Sequence, residues 1–167
     1  MDLRRLEMSF DRFYDEENFQ YLLQNAKLLE KLHLKVVNGQ NLVGLLSPSA
    51  RSLKALHLSV FLTDGSVIRG GICEELKALA GDNMLEALSF KVRVIFADTV
   101  GFVGSIIQKV ENVLIKPGWC TLSQVSFKLL VLTYDSLELC EALQSLPDRY
   151  LNHLTKLDSV TFNYSAS

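Results

Sequence analysis

The stretches LEKLHLKV at residues 29–36 and LKALHLSV at residues 53–60 carry leucine, leucine, histidine, leucine and valine at matching places. Their first residues lie 24 positions apart. The shared apolar residues fit the template Leu-x-x-Φ-x-Φ-x-Φ, in which Φ is any apolar residue. A template that recurs along a chain indicates a fold built from stacked, similar units.

The same template fits six segments of the chain at all four fixed positions. These segments begin at Leu3, Leu29, Leu53, Leu85, Leu122 and Leu157. The last three apolar residues of each segment alternate with other residues, which predicts a short strand with one buried face. At least 16 residues separate successive eight-residue segments. This length allows a crossover and is too long for a tight hairpin, so we expect parallel strands.

Most of the connecting segments show helical patterns. Apolar residues recur at steps of three and four from Glu16 to about Leu32, with Asp15 as a candidate N-cap. Similar patterns cover residues 74–80 and 100–114, and a further helix is expected after the candidate cap Ser136. Strands that alternate with helices predict an α/β fold.

Six strands joined by helical crossovers resemble the leucine-rich-repeat solenoid, in its ribonuclease-inhibitor-like branch, over almost the whole chain. The resemblance implies a curved parallel sheet on the concave side and helices on the convex side, in about six irregular repeats. That family places an asparagine three residues after the last strand leucine. The second and third copies here have Val37 and Phe61 at that position. Less regular turns are therefore expected at those two places.

Three sequence segments also resemble the repeat regions of fungal F-box-type proteins. They are GGICEEL at 70–76, KPGW at 116–119 and SLPDRYLNHL at 145–154. The likeness implies the partner-selecting role of a ubiquitin-ligase subunit. No stretch resembles the F-box itself, since the first copy begins at Leu3, so binding to the ligase adaptor is not implied. The end copies also lack the polar caps that solenoids usually need, so we expect either a fragment of a longer solenoid or a degenerate gene product.

The composition is that of one folded domain covering residues 1–167. The chain is 49% hydrophobic and 22% charged, and its net charge of −2 creates no overall attraction to nucleic acid or to an anionic membrane. Cys73, Cys120 and Cys140 form no CxxC pair, and no signal peptide or membrane-spanning run is present. These features favour a reduced, intracellular setting, either cytoplasmic or nuclear.

No pattern of a catalytic or cofactor site is present. The chain lacks HExxH, GxSxG, a P-loop and GxGxxG, so we expect a protein that is not an enzyme and has no cofactor. His33 and His57 should be neighbours, but two imidazoles without a nearby acid or thiol make a poor metal site. Trp119 is expected to cover the core where a strand begins.

The polar face of the predicted sheet is the candidate working surface. Residues between the buried strand positions point to the concave side, and stacking the copies aligns them in rows. One row is predicted to be Glu7, His33, His57, Ser89, Ser126 and Thr161. The next is predicted to be Ser9, Lys35, Ser59, Lys91, Lys128 and Asn163, with Arg5, Lys31, Gln124 and Arg93 on the flanks. Acids such as Glu74 and Glu75 collect instead in the helical connections.

Two functions follow from this surface. The first is a protein-interaction module whose basic, hydroxyl-rich face binds an acidic or phosphorylated segment of a protein partner. The expected binding residues are Glu7, Lys31, His33, Lys35, His57, Ser59, Lys91, Arg93 and Lys128. The same residues are also compatible with a face that is merely solvated. The second function is a structural or self-associating fragment in which the exposed end strands assemble.

Overall fold

Six parallel strands form one sheet in chain order. The structure is a computed structural model that describes residues 3–10, 16–37, 44–62, 71–94, 100–131 and 137–166. The strands are β1 (Arg5–Phe10), β2 (Lys31–Val37), β3 (Ala55–Leu62), β4 (Ala87–Val94), β5 (Gln124–Val131) and β6 (Thr161–Ala166). The spatial order is β1-β2-β3-β4-β5-β6, and every neighbouring pair is parallel. The predicted α/β class with parallel strands is confirmed.

Helices occupy most of the described connections. They are α1 (Glu16–Asn25), α2 (Gly71–Leu79), α3 (Val100–Leu114), α4 (Leu137–Gln144) and α5 (Leu146–Tyr150), with 3-10 turns at Ser47–Ser49 and Leu154–Lys156. The bounds of α3 are those predicted. Helix α1 is shorter than predicted: it ends at Asn25, a turn follows, and residues from Lys31 onward belong to β2. The candidate caps Asp15 and Ser136 lie outside the described residues.

The hydrophobic core lies between the helices and one face of the sheet. It is one cluster that joins strand residues such as Leu34 and Leu58 to helix residues such as Leu76 and Ile107. The rings of Phe90 and Phe127, on adjacent strands, stack with centroids 4.7 Å apart. Full burial of a leucine or phenylalanine contributes about 1.5–3 kcal/mol relative to an exposed one. The template therefore recurs because each copy has apolar strand residues in or against this shared core.

A repeated backbone contact sets the strand register. The carbonyl of the residue that precedes each of the first four strands accepts N–H groups from two successive residues of the next copy, at 2.8–3.0 Å. The accepting residues are Arg4, Glu30, Lys54 and Glu86. Equivalent residues of successive copies consequently lie side by side across β1 to β5.

The sixth strand departs from the predicted alignment. The template places Val160 opposite Val125, whereas the sheet pairs Val125 with Phe162. The prediction is therefore wrong by two residues. The local cause is a turn: Leu157 is 37% exposed rather than buried, and its carbonyl accepts the N–H of Val160 at 3.1 Å. The chain before β6 consequently does not repeat the approach used by the earlier strands.

This two-residue shift changes the rows but not the faces. Because the side-chain period of a strand is two residues, each β6 side chain stays on its predicted side of the sheet. The neighbour of Ser126 is Asn163, not Thr161, and the neighbour of Lys128 is Ser165, not Asn163. Both predicted rows are correct through β5 and wrong at their final member.

Gly118 and Trp119, within the KPGW phrase, join α3 to β5. Gly118 has φ +119°, and a Cβ there would lie 2.7 Å from the backbone nitrogen of Gly81. The N–H of Gly81 donates to the Gly118 carbonyl at 2.9 Å, so the two turns meet backbone to backbone. Trp119 is half-buried against the core, as expected, and its Nε1–H donates to the carbonyl of Val113 at 3.1 Å.

Two buried glutamates anchor backbone segments that lie outside regular elements. Glu75 of α2 is 2% exposed, and its carboxylate accepts the N–H groups of Gly44 and Leu46. Glu111 of α3 is 4% exposed and accepts the N–H groups of His153 and Leu154 at 2.8 and 3.0 Å. Each carboxylate therefore satisfies two backbone donors that would otherwise be costly to bury.

Replacing Glu75 with Gln should change the pH dependence of stability. Burial raises the pKa of the Glu75 carboxyl, against the opposing effect of the hydrogen bonds from Leu46 and Gly44. The folded chain thus keeps this proton to a higher pH than the unfolded chain, so the contribution of Glu75 to stability falls as the pH rises above the usual glutamate pKa. In urea denaturation from about pH 4 to about pH 8, the free energy of unfolding of E75Q relative to that of the wild type should therefore increase with pH.

The control for this experiment is Glu74→Gln, which removes an exposed carboxylate from the same helix. Subtracting its profile isolates the effect of the buried group from the general effect of one lost charge. Parallel profiles for E75Q and the wild type would contradict the role of burial.

Candidate functional site

The face of the sheet opposite the core is called the open face here. It comprises Arg5, Glu7 and Ser9 of β1, Lys31, His33 and Lys35 of β2, Ala55, His57 and Ser59 of β3, Ala87, Ser89, Lys91 and Arg93 of β4, Gln124, Ser126, Lys128 and Leu130 of β5, and Thr161, Asn163 and Ser165 of β6. Every one of these side chains is half-buried or exposed. All nine expected binding residues lie on this face.

The open face is strongly basic. Six cationic side chains lie on it: Arg5, Lys31, Lys35, Lys91, Arg93 and Lys128. Glu7 is the one carboxylate among these open-face residues, so with neutral histidines the face carries a formal charge of +5. The whole chain carries −2. The acidic residues are therefore concentrated away from the open face. The electrostatic potential of the open face favours an anionic partner.

Glu7 partly neutralises one end of the open face. Its Oε1 lies 2.7 Å from Lys35 Nζ and 3.5 Å from His33 Nδ1. The hydrogen bond and charge of Lys35, followed by the charge of His33, hold the pKa of Glu7 below its usual value. Lys35 is consequently already paired, which makes it a weaker candidate for partner binding than the sequence suggested.

His33 and His57 form a polar cluster with Ser59. His33 Nε2 lies 2.9 Å from Ser59 Oγ, and the two imidazole rings meet edge to face with centroids 4.4 Å apart. Burial, and then the charges of His33 and Lys91, lower the pKa of His57. His57 is therefore neutral at neutral pH and presents its ring as an amphipathic surface.

The acid beside His33 corrects one step of the sequence argument. The metal site was set aside as two imidazoles without a nearby acid, although the predicted row already placed Glu7 next to His33; in the structure Glu7 Oε1 lies 3.5 Å from His33 Nδ1. Even so, within the described ranges no group of three or more His, Cys, Asp or Glu side chains could hold a metal ion.

Glu7, His33 and Ser59 also follow the order acid, imidazole, hydroxyl of a hydrolase triad. Ser59 lies in the middle of β3, which is paired on both sides, so the nearby backbone N–H groups serve the sheet and not an oxyanion site. The shorter contact of Glu7 is with Lys35. The cluster therefore orients His33 between Glu7 and Ser59.

The basic residues of β4 and β5 differ from Lys35 in their pairing. Lys91 and Lys128 lie side by side, and neither forms an ion pair with any residue that the structure describes. Next to them, Ser126 Oγ donates to Ser89 Oγ at 2.8 Å. Arg93 is exposed on β4 and lies in the same row as Leu130. This part of the open face combines unpaired cations with hydroxyl groups.

A surface hollow lies at the amino ends of the strands. One row across the sheet runs Arg5, Lys31, Ala55, Ala87 and Gln124. The two alanines replace the long side chains found on either side, and a hollow of about 380 Å³ is the result. This alanine hollow is also lined by Leu6, Glu7, Leu32, His33, Leu56, His57 and Ser89.

Sequence reasoning missed the alanine hollow because it considered only polar and charged side chains. The available signal was two successive small residues, Ala55 and Ala87, in a row that otherwise carries long polar side chains. Ala55 and Ala87 form a hollow only because the register places them side by side on adjacent strands.

Comparisons of the chain with family models, with curated proteins and with solved structures found no match. None of the helices in the described part of the chain combines the length and the apolar character needed to span a bilayer. The open face and the alanine hollow are therefore the features of this chain that bear on its function.

Replacing Lys35 with Met should raise the pKa of Glu7 toward its usual value, because Lys35 provides the two largest effects that lower it. The measurement is a pH titration of the Glu7 side-chain carboxyl by carbon-13 NMR. Lys128→Met is the matched control, since Lys128 lies on β5 and Glu7 on β1. An identical Glu7 titration in wild type and K35M would show that the ion pair does not form in solution.

Proposed function

We propose that this chain is a non-catalytic protein-interaction module of the leucine-rich-repeat type, with the open face on the concave side of the solenoid. The partner is a protein segment rich in carboxylates or phosphorylated side chains. The observation that supports this proposal is the +5 formal charge of the open face in a chain of net charge −2. Solvation alone calls for polar residues on such a face but not for one sign of charge.

The spacing of the cations suits an anionic segment. Adjacent strands lie about 4.8 Å apart, so Lys91 and Lys128 can face one phosphate or two neighbouring carboxylates. The hydroxyl group of Ser89, which accepts from Ser126, lies one position along the same strand face and can donate its own proton to the same anion. Lys31 and Arg93 extend the basic surface toward opposite strand ends.

A narrower form of the proposal rests on the sequence resemblance to F-box-type proteins. In that form the chain is the partner-selecting region of a ubiquitin-ligase subunit, and its partner is a protein of the cytoplasm or nucleus. Adaptor binding is not part of the proposal, because no segment of this chain resembles the F-box.

Charge reversal at Lys91 and Lys128 tests the proposal. The probe is a fluorescein-labelled dodecapeptide of alternating Glu and Ser, with and without phosphorylation of the serines, measured by fluorescence anisotropy. The double variant K91E/K128E should bind about tenfold or more weakly, since two favourable surface contacts of up to about 1 kcal/mol each become repulsive. Added salt should weaken wild-type binding as well.

The matched control is Lys116→Glu, which makes the same charge change at an exposed lysine after α3, away from the open face. If K116E weakened peptide binding as much as K91E or K128E alone, only the net charge of the chain would matter. Binding that is unchanged in the double variant at low salt would overturn the proposal.

The alternative is a self-associating solenoid, and the end strand supports it. Phe162 and Tyr164 of β6 are only half-buried, and β5 is the one described strand that pairs with β6. An exposed strand edge can pair with another copy. Sedimentation velocity would then show concentration-dependent oligomers that the edge variant T161K/N163K removes and K91E/K128E leaves intact. A monomer at all concentrations would exclude this alternative.

A further inference from the structure

The alanine hollow is not explained by charge recognition. It lies at the amino ends of the strands, whereas Lys91 and Lys128 lie four positions further along β4 and β5 than Ala87 and Gln124. Its volume of about 380 Å³ falls in the range of small ligand pockets, about 300–1,000 Å³. It is therefore large enough for one bulky side chain of a bound segment.

The chemistry of the hollow differs from that of the surrounding face. Its floor consists of the methyl groups of Ala55 and Ala87 and the strand backbone around Leu32 and Leu56. The edge of the hollow carries the ring of His57 and the long side chains of Arg5 and Lys31. Lysine and arginine place their methylene groups along apolar surface and keep their charged ends in water. The hollow is thus apolar inside, and its lining also carries the cations Arg5 and Lys31 together with the carboxylate of Glu7.

Exposed ionic contacts add little binding free energy, so an apolar contact in the hollow would matter for affinity. An exposed ion pair contributes only about 0.2–1 kcal/mol, so a segment held by lysines alone would bind weakly and with little selectivity. In protein recognition a few well-packed side chains, most often Trp, Tyr or Arg, supply most of the affinity. In the hollow, Ala55 and Ala87 on two successive strands leave room for such a side chain.

We propose that the alanine hollow receives one large apolar side chain, aromatic or leucine-like, from an acidic protein segment whose carboxylates or phosphates contact Lys91 and Lys128. This inference rests on the proposed function and adds the anchor residue to it. The anchor sits between Lys31 and Gln124, over Ala55 and Ala87, with the rings of His33 and His57 beside it.

The strand geometry also predicts the spacing of the recognised motif. Ala87 and Lys91 are four residues apart on β4, which corresponds to about 13 Å at about 3.3 Å per residue. A bound segment that runs extended along the strand covers the same distance in about four residues. The motif is therefore an apolar residue with an acidic pair about four positions away.

The test uses fluorescein-labelled, extended decapeptides in which two glutamates lie four residues from a variable position. That position carries Trp, Leu or Ala, and a fourth peptide has Trp moved beside the glutamates. On wild-type protein the Trp and Leu peptides should bind about tenfold or more tightly than the Ala peptide and the moved-Trp peptide. The peptide comparison requires no change to the protein, so it does not depend on the folding of a variant.

Variants that fill the hollow complete the test. Ala87→Gln or Ala55→Gln should reduce the Trp peptide to the affinity of the Ala peptide, with folding checked by circular dichroism. The control Asn163→Gln enlarges an exposed open-face residue outside the hollow and should leave the preference for Trp intact. Two filling variants are used because either one alone could disturb the sheet.

The outcomes separate the two proposals. Equal affinities for the Trp, Leu and Ala peptides, together with weaker binding by K91E/K128E, would overturn the anchor and leave the acidic partner supported. A Trp preference that persists in both filling variants would place the anchor elsewhere and also overturn the inference. Absence of binding by every acidic peptide would overturn the proposed function and the anchor with it.

Discussion

The register between successive parallel strands is the constraint on which the other features depend. One carbonyl before each of the first four strands accepts two N–H groups of the next copy, and this contact aligns the strands residue for residue. The same alignment stacks buried apolar side chains on one face and polar side chains on the other. A shift by a single residue would exchange the two faces, whereas the two-residue shift at β6 changes only the neighbours.

Electrostatic segregation follows from this alignment. The open face concentrates cations in rows, while carboxylates such as Glu74 and Glu75 are carried by the helices. Within the open face, Glu7 pairs with Lys35 and lies near His33, so the basic character is stronger around Lys91 and Lys128. The face thus has two chemically distinct regions, and the alanine hollow lies between the imidazoles and the long cationic side chains at the strand ends.

Much of the fold was predictable from the sequence because apolar periodicity reports directly on burial. The six strands, their parallel order and the bounds of α3 follow from that pattern, and so do the open-face rows through β5. The position of β6 was not predictable, since a turn at Leu157 replaces the buried leucine of the template. The hollow and the burial of Glu75 were missed because each depends on which residues the register and the connections bring together, not on residue type.

The buried carboxylates of Glu75 and Glu111 have a consequence for how this array could change in length. Each accepts two backbone N–H groups from a different connection, across 29 to 43 residues of chain. Removing or duplicating one unit would leave such a carboxylate buried without its donors, which is strongly destabilising. Arrays of interchangeable repeats grow and shrink readily. In this chain the strands of the units are similar, but the buried glutamates bind backbone groups of particular other connections. The connections therefore fix the order of the units.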